Sequence, residues 1–181
     1  MPRNFGLSRH ELLRAFDLSA VSYFLDFLLV PAFIVGLLLF GGIRATWLGA
    51  GVLAWTLAEY WIHRLIFHGP GRLAAMHELH HAWPKDWIGA ASWLTLPAFA
   101  VVFGLLALAM TRSAAASATA GLMAGYLAYC AVHIRIHHGR ARFWPPMAFL
   151  HRLHAGHHRG GRANYGVSSP LWDIVFRSFK P

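Results

Sequence analysis

Ten histidines in four spaced motifs are the residues of this chain most suited to chemistry. They read His63-x4-His68, His77-x2-His80-His81, His133-x3-His137 and His154-x2-His157-His158. Twelve of the thirteen histidines lie between 63 and 158, and none falls between 82 and 132. On a helix, residues i, i+3 and i+4 share a face, so each triplet and the 133/137 pair should present their rings together. His63 and His68 are five apart, about 140° round an ideal helix. The helix carrying them must therefore end or distort between them, and Gly69-Pro70-Gly71 follows directly. Neutral imidazole suits iron, zinc, copper or nickel. Ten rings exceed what one ion uses, so two ions with some positions open is the natural count. Ligating rings must be neutral, so affinity should fall with acid.

A histidine taken alone is more often a satisfied polar residue than a ligand. His138 and His151 lie outside the motifs and are expected at the surface or behind the ligating rings. Glu59, Glu78 and Asp86 are candidates to orient a ligating ring through its second nitrogen. His10 lies far from the clusters and reads as a surface residue.

The elements that must position these rings are apolar. The chain is 57% hydrophobic and 13% charged, with mean hydropathy +0.45, which points to the bilayer. The expected fold is all-α: an integral membrane four-transmembrane-helix bundle with a cytosolic histidine-rich helical cap, forming a single domain over 1–181. Spans are expected at about 21–40, 46–67, 89–110 and 115–136, with the cap at 69–88 and 137–181. Residues 1–20 are expected to lie along the membrane surface, and no cleavable leader pattern is seen there. Asp26 interrupts the first span and should face protein or water. The small residues of 114–125 should let helices approach closely. With four spans, fourteen of the sixteen cationic residues fall on one side, leaving only Arg44 and Arg112 opposite. The positive-inside rule then puts both termini and the metal site in the cytoplasm. The positive residues border apolar segments and form no separate basic face, which argues against nucleic acid as a partner. Cys130, the only cysteine, excludes an internal disulfide and reads as packing.

The motif order HX4H, HX2HH, HX3H, HX2HH over roughly residues 20–178 resembles the fatty acid hydroxylase superfamily of integral membrane enzymes, which includes sterol desaturases. Ser168-Ser169-Pro170-Leu171-Trp172-Asp173-Ile174-Val175-Phe176 is similar to the C-terminal signature of the fatty acid 2-hydroxylase branch, and Asn164-Tyr165-Gly166 to a stretch shared more widely. Phe176-Arg177-Ser178-Phe179 departs from the Gly-Thr pair often found there. The resemblance implies a non-haem di-iron centre using O2 to hydroxylate an unactivated C–H bond of a lipid chain. It implies His63, His68, His77, His80, His81, His133, His137, His154, His157 and His158 as ligands of two iron ions, with zinc able to replace iron in purified material. No stretch accommodates a fused cytochrome b5 domain, so a separate cytochrome b5-like or ferredoxin-like electron donor is expected. Within the superfamily, a lipid desaturase or a carotenoid or sterol oxidase is the alternative. Outside it stand a non-catalytic metal-binding or transport protein, and an intramembrane zinc protease through His77-Glu78-x-x-His81. The protease reading leaves eight clustered histidines without a role. The transport reading wants polar residues along a path through the spans, which the sequence lacks.

Overall fold

Backbone in lipid must satisfy its own N–H and C=O groups, so apolar runs of span length fold as helices. The computed structural model, which describes residues 18–139 and 144–181, is all-α. The expectations for 1–17, including the surface helix and His10, lie outside the described residues, as does part of the basic link after His138. In chain order the helices are α1 (Ala20–Phe24), α2 (Asp26–Gly41), α3 (Ala45–Trp61), a π-helical segment (Ile62–Phe67), α4 (Arg72–Ala82), α5 (Ser92–Ala109), α6 (Arg112–His138), α7 (Pro145–Gly160) and α8 (Leu171–Val175).

Three helical stretches are long and apolar enough to cross a membrane: Ala20–Gly41, Ser92–Ala109 and Arg112–His138. They lie within four residues of the expected first, third and fourth spans. The expected second span, 46–67, is the 17-residue α3 followed by the six-residue π segment. Alone, α3 rises about 26 Å, short of the ~30 Å hydrocarbon core.

The chain divides into two compact units. The first comprises Ser19–Leu57 and Ala90–Ala128. Here the helices touch through small residues. Ala114, Ala115, Ala116, Ser117, Ala118, Thr119 and Ala120 are all buried. A Cβ on Gly51 would run into the Ala118 carbonyl, and one on Gly121 into the Leu48 carbonyl. Ser117 Oγ accepts from Arg44 N–H at 2.9 Å and donates to the Gly42 carbonyl at 3.2 Å. The Phe99 and Tyr126 rings lie 5.6 Å apart, which pairs α5 with α6 as the expected antiparallel hairpin. Asp26 is 4% exposed and accepts hydrogen bonds from Thr95 Oγ1 and, at 2.5 Å, from Tyr126 O–H. It faces protein, as a carboxylate in an apolar span must.

The second unit holds the described residues of Ala58–Gly89 and Tyr129–Pro181, with Leu18. Its apolar anchors are few. Met76, Leu79 and Ile88 pack with Phe67, Leu73 and Trp83, seating α4 against the π segment. Ile136, Met147 and Val167 pack with Tyr129, Val132 and Leu150, seating α7 against α6. Each such side chain contributes about 1.5–3 kcal/mol when fully buried. All ten motif histidines belong to this unit.

Candidate metal centre

The two rings that an ideal helix would not align are brought together by the π segment. A π-helix bonds residue i to i+5, and His68 N–H donates to the His63 carbonyl at 3.2 Å. The His63 and His68 rings consequently stack with centroids 5.2 Å apart. The expected distortion is thus a widened helical turn, with the chain break following at Gly69-Pro70-Gly71. Gly71 has φ 107° and precedes α4, a backbone angle that L side chains rarely adopt.

From these helices the ten rings sort into two groups of five. One is His63, His68, His77, His81 and His157; the other is His80, His133, His137, His154 and His158. Within each group the candidate ligand atoms all lie within 4.8 Å of one another. The sorting is reciprocal. The π segment gives a pair to the first group and α6 a pair to the second. Between them, α4 sends His77 and His81 to the first group and His80 to the second, while α7 sends His154 and His158 to the second and His157 to the first. His81 and His158 stack across the two groups, centroids 4.2 Å apart and planes 8° from parallel.

The nitrogen geometry tests whether a cation fits. In the first group the Nε2 atoms of His63 and His77 are 2.9 Å apart, those of His77 and His81 2.9 Å, His81 and His157 3.1 Å, and His157 and His68 3.0 Å. His63 Nδ1 donates to the Tyr165 carbonyl at 2.5 Å, and His157 Nδ1 to the Ala163 carbonyl at 2.8 Å. A neutral ring has one N–H, so the Nε2 of each of these two carries only a lone pair. Three ring protons at most remain for four nitrogen–nitrogen contacts, so hydrogen bonds cannot account for them all. A central cation can. Ligands about 2.1 Å from an ion and 90° apart are separated by ~3.0 Å, against ~3.4 Å for a tetrahedron. In the second group His137 Nε2 lies 3.1 Å from that of His133 and 2.9 Å from that of His154, and His158 lies 3.0 Å from His154. His80 Nε2 is buried with no hydrogen-bond partner, a cost of roughly 1–3 kcal/mol that a bound ion removes. The donor sets fit two ions.

The surroundings keep the rings neutral. Burial, reinforced by the neighbouring rings, lowers His68 to about 4 and His81 to about 2. His158 is lowered to about 4 by burial, and so is His157 despite its bond to the Ala163 carbonyl. His77, His80 and His154 are held well below the usual imidazole range, again by burial first.

The carbonyls that fix two of the rings sit on the loop after α7, and this loop is pinned by buried acids. Gly161, with φ 63°, ends α7. Asn164 takes φ 55°, a left-handed angle that asparagine tolerates better than most residues. Its side chain donates to the carbonyls of Leu153 and Lys180 and accepts from Lys180 N–H. Asp173, 1% exposed, accepts from Tyr165 N–H at 2.8 Å, Gly166 N–H at 2.7 Å and Ser178 O–H at 2.7 Å. Glu59 accepts from the N–H groups of Val167 at 2.6 Å and Ser168 at 2.8 Å, and from Ser168 O–H. Of the candidate ring-orienting acids, Glu59 therefore reaches the histidines only through this loop. No hydrogen bond joins Glu78 or Asp86 to a histidine ring among the described residues. His138 is exposed and stacks on Trp87 at 4.4 Å, and His151 is exposed. Asp173 and the Ala163 and Tyr165 carbonyls were not singled out as site residues by sequence. Only the Asn164-Tyr165-Gly166 stretch and the C-terminal signature hinted at their region.

Two five-histidine clusters carried on an all-α scaffold with membrane-length helices define a class of membrane metalloprotein. The comparisons narrow it. The fatty acid hydroxylase family profile matches residues 48–178, and the chain belongs to that family. It is 35% identical over 136 positions to dihydroceramide fatty acyl 2-hydroxylase FAH2 of Arabidopsis thaliana, covering 70% of this chain and 57% of the relative. It is 33% identical over 147 positions to the ceramide very long chain fatty acid hydroxylase SCS7 of Saccharomyces cerevisiae, covering 71% of this chain and 36% of the relative. Among solved structures, full-length scs7p, with only its hydroxylase domain visible, superposes with TM-score 0.73 at 26% identity over 98% of this chain and 71% of that one. The chain thus spans a little over half, or less, of these two curated relatives.

Proposed function

We propose that this protein is a membrane-bound, O2-dependent lipid hydroxylase. It inserts oxygen into an unactivated C–H bond of a lipid acyl chain, with two iron ions held by His63, His68, His77, His81 and His157 and by His80, His133, His137, His154 and His158. The observation that carries this reading is the pair of adjacent five-nitrogen clusters. When bound, two redox-active ions with open positions supply the oxidising power towards an alkyl C–H bond that side chains lack.

The chain's own residues do the positioning. The Ala163 and Tyr165 carbonyls hold His157 and His63 in the tautomer that leaves Nε2 free. Glu59 and Asp173 hold those carbonyls in place. The low-lying imidazoles of α4 and α7 stay unprotonated at neutral pH, so the nitrogens remain available. The 2-hydroxylase names of the relatives support carbon 2 of the acyl chain as the position oxidised. Together, α3 and the π segment form a fourth span, and the lysine and arginine distribution supports a cytoplasmic location for both termini and the clusters. Electrons come from a redox donor such as a cytochrome b5-like or ferredoxin-like protein.

The test is lipid mass spectrometry of cells expressing the wild type or His154→Ala under isotopically labelled O2. The wild type should produce a lipid carrying one labelled oxygen, and the variant should not. Identical lipid profiles under ample electron supply would refute the reading.

A further inference from the structure

A second place in the molecule is shaped for a ligand, and it contains no histidine. In the unit formed by Ser19–Leu57 and Ala90–Ala128, a cavity of about 750 Å³ is lined by Ala32, Phe33, Gly36 and Phe40 of α2, Phe103 of α5 and Arg112 of α6. The α2 residues recur at i, i+1, i+4 and i+8, one helical face. A Cβ placed on Gly36 would meet nothing within 4 Å, so the glycine leaves open space along that face. From Ala32 to Gly41, the lining part of α2 rises about 14 Å. That is close to half of the ~30 Å hydrocarbon core, the depth of one leaflet.

One end of the groove is cationic. The Arg112 side chain is exposed and makes no hydrogen bond or ion pair among the described residues. Arg44 lies at the same turn, its Nε donating to Ser113 Oγ at 3.3 Å. The single acid of this unit, Asp26, begins α2 at the opposite end and is taken up by Thr95 and Tyr126. Arg112 is the first residue of α6, where a candidate span meets headgroup depth.

We propose that this groove binds one acyl chain of an anionic phospholipid from the adjoining leaflet, with the lipid phosphate on Arg112. A bilayer phospholipid already has the required orientation: phosphate at the helix end and chain pointing towards the midplane. The groove selects by the cation at its mouth and retains by the space beside Gly36. The lipid is resident in this site and is not the molecule oxidised at the histidines.

Native mass spectrometry of the full chain, released from membranes with equal phosphatidylglycerol and phosphatidylcholine, tests this. The wild type should retain one phosphatidylglycerol, preferred over phosphatidylcholine by about fivefold, the effect of one charge at a membrane surface. Arg112→Gln should bring that preference close to parity. Gly36→Leu should cut retention of both lipids about tenfold or more with metal content and helicity unchanged, since leucine is the better helix former. Phe103→Trp, which narrows the same space from α5, should reduce retention even if Gly36→Leu fails to fold. Equal retention of the two lipids by the wild type, an unchanged preference in Arg112→Gln, unaltered retention in both space-filling variants, or retention of added oleate in place of phospholipid would each overturn the proposal.

Discussion

Adjacent residues can serve different ions. His80 and His81 are one residue and about 100° of helix apart, and they fall in different five-ring groups. Replacing either with alanine should lower the metal content from about two ions per chain towards one, and replacing both should lower it towards zero. Elemental analysis of the three purified variants checks this, and a double variant no worse than the singles would contradict the sorting. Acid should act on the same rings. Their ordinary value is about 6.5, whereas His68, His157 and His158 sit near 4 in the fold and His81 near 2. A lowered folded value means that the unfolded chain binds more protons below 6.5, so stability falls as pH falls. For the metal-free protein the loss should begin below about pH 6.5 and grow down to about pH 4, where three of these rings also protonate in the fold. Thermal unfolding across that range measures it, and a flat profile would contradict it. The motifs were legible in the sequence because ligand types recur at helical spacings. Which ring joined which group was not, because residues sharing a face still diverge once a helix packs between two sites. The carbonyls holding His63 and His157 were not legible either, since any residue offers the same oxygen.

At the scale of elements, the π segment is the departure from regularity that the site requires. It supplies the i to i+5 bond that aligns His63 with His68. Inserting one alanine after Ile66 would set the two rings six residues apart, about 240° round a regular helix. The group with His63 and His68 should then lose its ion, while the group fed by α6 keeps its own. Elemental analysis should read about one ion per chain, and two would show that the widened turn does not set the ring alignment. The sequence announced this irregularity through the five-residue spacing and Gly69-Pro70-Gly71, but not its form. The three membrane-length helices were legible because hydropathy and length suffice, and so was the close approach through small residues, seen where Gly51 meets Ala118. The role of Glu59 was only half legible. A buried acid one turn before His63 suggested a direct bond to a ring, but its carboxylate instead satisfies the N–H groups of Val167 and Ser168, which would otherwise be buried without partners.

For the whole molecule, the division into two units separates what metal can stabilise from what lipid supports. A ligand that binds only the folded form stabilises that form in proportion to its concentration over its dissociation constant. Adding ferrous iron or zinc to the metal-free protein in lipid nanodiscs should slow amide exchange across 62–82 and 145–168, with little change across 92–109. Hydrogen-exchange mass spectrometry reads this directly, and uniform protection would contradict it. The separation was not legible in the sequence, which reads as one continuous alternation of spans and loops. The reciprocal sorting of rings also orders events during biosynthesis. Every group of five draws on α7, and the loop carbonyls that fix His63 and His157 come later still. A nascent chain that has not yet released α7 holds only incomplete sets of donors, whatever metal surrounds it. Loading with ions is therefore a step that follows translation of α7.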